Sequence, residues 1–360
     1  MVVALDARLT LHGGATGAPV GAARGRVSER AGVLVTLRDG HGRVGQGEAS
    51  PLPGYSRETL DEVVEALRGA LPRVEEDVVE APLVGLGAPW LREIPGPARF
   101  ALETAVLDLA GKRRGVSAHA ILRGATARAG VAVSAYAGAA LDAGLGENAR
   151  DALRRGITTL KVKLLGAAPT FDDEVAALVE LRRAFPNAWT LRLDLNGAWS
   201  VAEATAERFW ALASVRPAFV EQPVPVGQLC VMGPCPVPWA IDESLVDEAD
   251  TEYVMTRRAQ GGCAAVIVKP AVHGLLGAWK LCERAHREGL GVVVTHLFDG
   301  PMALAAACEL ALALRAPWAC GLDVHPGLAS WPSVEVPQRA DPRLITPSGR
   351  PGLGVEPLPD

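Results

Sequence analysis

The sequence predicts an α/β protein, a modified (β/α)8 TIM-type barrel behind an N-terminal α+β module. Two observations carry this. From about Val131 onward, short apolar runs alternate with helical periods, and buried parallel strands read as such runs. At the C-terminal ends of five successive runs stand Lys163, Asp194, Glu221, Asp242 and Lys269. Their separations of roughly 20–30 residues suit one strand, one helix and two loops. In a parallel barrel those ends converge on one mouth, where active sites are built.

Residues 3–11, 32–38 and 42–48 read as strands, with Asp39-Gly40 as a hairpin turn. Residues 12–26, rich in Gly and Ala, read as a loop, either a lid or a plain surface loop. Pro51, Pro53 and Gly54 keep the next stretch out of a helix. Ser56 is then predicted to cap a helix that carries Leu60, Val63, Val64, Leu67 and Leu71 at helical spacing. A second helix is predicted over 97–112. Strands followed by helices make an α+β module, residues 1–125.

The barrel domain is predicted over 126–325. Its strands fall at 131–135, 160–164, 191–195, 219–221, 239–241, 265–269, 291–296 and about 319–322. Helices are predicted at 147–155, 172–185, 274–288 and 301–314. Ser200 and Glu203 form a Ser-x-x-Glu box that predicts another helix start. Residues 326–360, rich in proline, read as a tail that packs back on the first module.

Composition excludes several classes. The chain is 49% hydrophobic and 21% charged, which suits a soluble globular protein with a large core. Net charge is −5 and no basic tract is present, against a nucleic-acid partner. The most apolar helix, 301–314, is too short to span a bilayer and carries Glu309. The N-terminus lacks the pattern of a signal peptide. The expectation is a cytoplasmic protein with no membrane partner. Six scattered cysteines, of which Cys230 and Cys235 are closest, lack the His or second pair that zinc needs and read as reduced thiols. No pattern speaks to oligomeric state.

The strand-end residues suggest a chemistry. Asp194, Glu221 and Asp242 are hard oxygen donors of the kind that hold Mg²⁺, with Mn²⁺ as the alternative. Any one of them alone reads as a solvated loop acid; three at barrel spacing read as a metal site. Lys163 and Lys269 flank them. Lys161 shares a strand face with Lys163, and its charge is predicted to lower the pKa of Lys163, as a lysine base requires. The set suits removal of a proton α to the carboxylate of a small-molecule substrate. The bland alternative is that the lysines merely pair with the acids. Arg192 and Asn196 share the face of Asp194, and His296 and Asp323 fall at the same mouth. These four are candidate substrate contacts, with a loop-capping role as the alternative for Asp323.

Lys161-Val-Lys163, Asp194-x-Asn196, Glu221-Gln222-Pro223, Asp242-Glu243-Ser244 and Lys269-Pro270 resemble the muconate-lactonising-enzyme subgroup of the enolase superfamily, in order and spacing. The segment from Gly47 to Leu60, with Pro51-Leu52-Pro53-Gly54-Tyr55-Ser56 at its centre, is similar to the capping domain of the o-succinylbenzoate synthase family of menaquinone biosynthesis. The resemblance implies a capping domain on a barrel, a hydro-lyase activity, Lys163 as base and then acid, and Lys269 as a cation facing the developing enolate. It also implies the three acids on Mg²⁺, and Tyr55 as a substrate contact. Thr295-His296-Leu297-Phe298-Asp299-Gly300-Pro301 departs from the family's Ser-rich segment. The rival expectation is an N-acylamino acid racemase or dipeptide epimerase using the same two lysines. Dipeptide epimerases usually carry Asp-x-Asp at the eighth strand, where this chain has Asp323 alone.

Overall fold

The computed structural model describes residues 5–22, 25–124, 129–167, 170–233, 235–315, 317–325 and 334–359, with 17–22, 25, 26 and 257–261 described through their backbone alone. The chain opens with an antiparallel sheet of β1 (Asp6–Ala22), β2 (Gly25–Arg38) and β3 (Val44–Ala49). β1 and β2 run well past their predicted ends. Most of the stretch read as a loop continues the ladder, with a register shift between Ala15 and Val20. Its Gly and Ala residues have low strand propensity, so backbone pairing rather than side-chain alternation builds this arm. Residues 23 and 24 of that stretch lie outside the described residues.

The sheet lies on the helix Gly96–Arg114, which is buried on nearly all sides and so shows no polar face. Gly115, in the left-handed conformation at φ 68°, ends it. The approach of helix and sheet is close at Gly45 and Gly47. A Cβ on Gly47 would collide with the Ala101 carbonyl, and one on Gly45 with that of Ala105. The helix Leu60–Ala70 starts later than predicted. Thr59 is its N-cap and Glu62 completes a capping box. The Ser56 hydroxyl instead accepts the Leu52 N–H at 2.9 Å and closes the proline-rich turn.

The second half of the chain is a parallel barrel. Its strands are β5 (Ala135–Ala139), β6 (Thr159–Lys163), β7 (Thr190–Asp194), β8 (Phe219–Glu221), β9 (Trp239–Ile241), β10 (Cys263–Val268) and β11 (Gly291–Val294), paired in chain order. Residues 318–321 close the ring. The Trp318 and Gly321 N–H groups donate to Val292 and Val294, and the Ser134 N–H donates to Cys320. The predicted first strand was displaced. Val131–Ala132 forms β4, which pairs antiparallel with β12 (Leu344–Ile345), and the barrel begins at Ala135. Ala-Tyr-Ala-Gly-Ala has no apolar run to betray a strand.

The Ser200–Glu203 box forms its reciprocal bonds, at 3.0 and 3.3 Å, but closes a turn. The helix after it starts at Ala206, capped by Thr205. A one-turn helix, Pro270–His273, precedes the helix Leu275–Arg287. Every residue of the helix Pro301–Ala313 is buried. Its one charge, Glu309, accepts from His119 Nδ1 at 2.7 Å and Gln338 Nε2 at 2.8 Å. Among the described residues no helix is long and apolar enough to cross a membrane. In the tail, the Leu358 N–H and carbonyl both bond the Gln46 amide, and the Leu353 N–H donates to Asp108. Residues 326–333 of the predicted tail lie outside the described residues.

The glycine contact yields a test. Gly47→Ala should destabilise the chain by about 1–3 kcal/mol, because the helix cannot retreat from the sheet. Gly69→Ala, on an open helix surface, should stabilise it by about 0.5–1 kcal/mol. Denaturant unfolding of both variants checks the pair, and equal effects would contradict the packing account.

Candidate active site

Parallel register brings the strand-end charges side by side. Lys163 of β6 pairs with Asp194 of β7, and Asp194 with Glu221 of β8. Asp242 and Lys269 directly follow the ends of β9 and β10. A cavity of about 500 Å³ opens over this mouth, lined by Lys161, Lys163, Asp194, Asp242 and Lys269. Glu221 lies beneath it, 2% exposed.

The acids are not left to repel one another. Lys161 Nζ lies 2.8 Å from Asp194 and 2.7 Å from Glu221. Lys269 pairs with both oxygens of Asp242. Burial works against the charge of Lys161, but Asp194 and Glu221 outweigh it and raise its pKa. Lys269 follows the same pattern, with burial opposed chiefly by Asp242, and its pKa is also raised. Burial and then Asp194 push the Glu221 carboxyl well above the usual range. For Asp242 burial is outweighed by Lys269 and Lys161, and its pKa falls.

Lys163 behaves oppositely. Its pKa is lowered, first by burial and only secondarily by Lys161, while Asp194 opposes the shift. The predicted direction is observed, but desolvation rather than the neighbouring charge is its main cause. A half-buried lysine with a depressed pKa can accept a proton near neutrality more readily than a free one.

The other predicted residues divide. Tyr55, Asn196, His296 and Asp323 line the cavity. The Tyr55 hydroxyl is 3.4 Å from Asp242, and its ring stands 4.9 Å from the Lys269 ammonium. Asn196 donates to Glu243 at 3.0 Å, from a strained backbone with φ 45°. His296 Nδ1 accepts the Phe298 N–H, so the ring proton sits on Nε2, 3.3 Å from the Asp323 carbonyl. Burial lowers the His296 pKa to about 4 and keeps the ring neutral.

Arg192 is a correction. It is 4% exposed and does not line the cavity. It donates to the Ala319 carbonyl at 2.7 Å and lies over the Phe219 ring. Two residues before Asp194 on one strand face, it points into the barrel one layer deeper. Asp323 reaches the cavity with its charge already answered. Arg155 Nη1 approaches its two oxygens at 2.8 and 3.0 Å, and Arg339 Nη2 one of them at 3.2 Å.

Sequence reasoning missed Tyr136, Asn148, Asp151, Arg155 and Phe298, all in the cavity wall. Tyr136 lies one residue past the predicted first strand and belongs to β5, whose small residues carry no strand signal. Arg155 follows a helix and is held at the cavity by Asp323 and Asp151. It also missed Glu243, which burial and Asp242 raise to about 7.

Among the described residues no three His, Cys, Asp or Glu side chains are drawn round one point. Lys161 instead stands between two of the acids. Asp194, Glu221 and Asp242 nevertheless fit a hard divalent ion by their chemistry, three buried carboxylates on adjacent strands without sulfur or imidazole.

Residues 144–360 match the family model described as enolase C-terminal domain-like, and residues 17–88 match the MenC N-terminal domain. An o-succinylbenzoate synthase of Thermosynechococcus vestitus is 29% identical over 304 residues, 81% of this chain and 84% of its own. The L-Ala-D/L-Glu epimerase of Clostridium acetobutylicum is 28% identical over 265 residues, 72% of each chain. The crystal structure of a dipeptide epimerase from Methylococcus capsulatus, complexed with Mg and the dipeptide L-Arg-D-Lys, superposes with TM-score 0.83 at 26% identity over 99% of both chains.

The charge pattern predicts a titration result. In Lys161→Ala a repelling cation is gone and Asp194 is released, so the Lys163 pKa should rise. NMR of ¹³C-methylated lysines checks this, and an unchanged or lower value would contradict the account.

Proposed function

The chain belongs to the enolase superfamily, and within it we propose a dehydratase that forms o-succinylbenzoate from 2-succinyl-6-hydroxy-2,4-cyclohexadiene-1-carboxylate, a step of menaquinone biosynthesis. The observation that carries this reading over dipeptide epimerisation is the occupied Asp323. An epimerase acting on free dipeptides must hold an ammonium, and the acid at this wall is already shared by two guanidiniums. Asp151, the other acid on that side, stands 3.0 Å from Arg155 Nε. The match to the MenC N-terminal domain over residues 17–88 supports the same substrate.

In this reading Asp194, Glu221 and Asp242 hold Mg²⁺, with Mn²⁺ as a substitute. The ion supplies charge stabilisation to the substrate carboxylate. Lys163, with its lowered pKa, takes the proton α to that carboxylate. The same ammonium then returns the proton to the departing hydroxyl, which leaves as water while the ring becomes aromatic. Lys269 faces the other side of the substrate as a cation against the developing negative charge. Lys161 keeps Asp194 and Glu221 in place.

A second reading is an N-acylamino acid racemase or dipeptide epimerase that uses Lys163 and Lys269 as two bases. Its support is the epimerase relative at nearly the same identity as the synthase.

Two experiments test these readings. Loss of the cyclohexadiene absorbance should be rapid, while deuterium exchange at the α-carbon of N-acylamino acids and dipeptides should be slow. Rapid exchange without dehydration would promote the second reading. Lys163→Ala should lower the dehydration rate by about 10²-fold or more.

Exhaustive chelation should abolish turnover and added Mg²⁺ or Mn²⁺ should restore it. Full activity in the chelated protein would remove the metal from the proposal.

A further inference from the structure

The turn after β3 and the loop after β11 meet over the cavity, and one buried guanidinium joins them. Arg30 of β2 is 3% exposed. On the barrel side its Nε donates to the Phe298 carbonyl at 3.0 Å and its Nη2 to Leu297 at 3.2 Å. On the capping side Nη1 donates to Pro51 at 2.9 Å and Nη2 to Ser50. Asp299 answers its charge at 3.8 Å and accepts the Leu297 N–H at 2.9 Å.

Glu48, fully buried beside it, extends the junction. It accepts the Ser50 hydroxyl and the N–H groups of Gly300, Met302 and Ala303, at 2.9 to 3.3 Å. Those N–H groups open the helix Pro301–Ala313, where a carboxylate is favoured. Arg30 thus serves four carbonyls from two domains, which needs the flat five-donor fork of arginine. Arg30, Glu48 and Asp299 do not line the cavity, but the segments they hold supply Leu52, Tyr55, Leu297 and Phe298 to its wall.

We propose that Arg30 is a positioning residue that locks the capping-domain turn 50–56 to the barrel loop 297–300 and so sets the substrate-facing wall of Leu52, Tyr55, Leu297 and Phe298. The proposal rests on this cavity being the catalytic site. Lys163 comes from β6 and this loop follows β11, so the wall and the base are held by separate elements. Loosening the wall weakens substrate binding more than proton transfer.

Arg30→Met and Arg30→Lys test it in the full chain, by hydrogen–deuterium exchange and by steady-state kinetics on whichever diene, N-acylamino acid or dipeptide the wild type turns over. In Arg30→Met, peptides covering 50–56 and 297–303 should both exchange about tenfold faster. KM should rise about tenfold while kcat stays within about threefold, with Arg30→Lys in between. If Arg30→Met does not fold, Arg30→Lys decides alone, through a KM raised about threefold with both segments loosened. Wild-type exchange in either segment, an unchanged KM, or a fall in kcat without a rise in KM would overturn the proposal. A wild type inactive on all three substrate classes would defeat the functional reading, while the exchange data would still decide the lock.

Discussion

Everything at the mouth of this barrel depends on burying opposite charges together. Removing an ion from water costs several kcal/mol even after relaxation, so a buried carboxylate needs a partner in place. Lys161 bridges Asp194 and Glu221, and Lys269 covers Asp242. That arrangement exists only because β6, β7 and β8 lie in register, with Lys163, Asp194 and Glu221 as neighbours. A slip of one residue would turn every one of these side chains to the other face. Barrel closure and electrostatic balance are therefore one constraint seen twice. Lys163 differs from Lys161 and Lys269 in one respect: desolvation wins at Lys163 and lowers its pKa, whereas the acids win at the other two and raise theirs.

The capping domain attaches by the same principle, with backbone N–H groups added to side-chain cations such as Lys112, which lies 2.8 Å from Asp108. Glu48 receives N–H groups at the start of the helix Pro301–Ala313, and Glu103 that of Leu276 at the start of Leu275–Arg287. Asp108 takes the N–H groups of Gln46 and Leu353. Burial raises all three acids, Glu103 to about 7. Each loses buried hydrogen bonds if the barrel or the tail is not in place, so the junction favours one docking geometry.

Sequence reading went astray where a local rule competed with a tertiary one. The box at Ser200 and Glu203 formed its bonds yet started no helix, because the chain first has to turn back from the end of β7. Arg192 shares a face with Asp194, but face does not specify depth inside a barrel. Asp323 sits at the cavity, where the expectation placed it, but its partners Arg155 and Arg339 are remote in sequence and remove its free charge. The stretch 12–22 had no alternating pattern to mark it as a strand, and its pairing with β2 supplied one.

By itself the sequence determined the fold class and the ring of strand-end charges. Both are written in short-range terms, an apolar run followed by a charged residue at the spacing of one strand and one helix. The identities of Lys161, Lys163, Asp194, Glu221, Asp242 and Lys269 were legible for that reason. The tertiary structure alone decided which lysine bridges which acid, why Lys163 has a depressed pKa, and which residues wall the cavity. It alone brought Arg30 to four carbonyls on two domains. Charge pairing and desolvation depend on distances between strands and on exclusion of water, and no one-dimensional spacing encodes either until the barrel has closed.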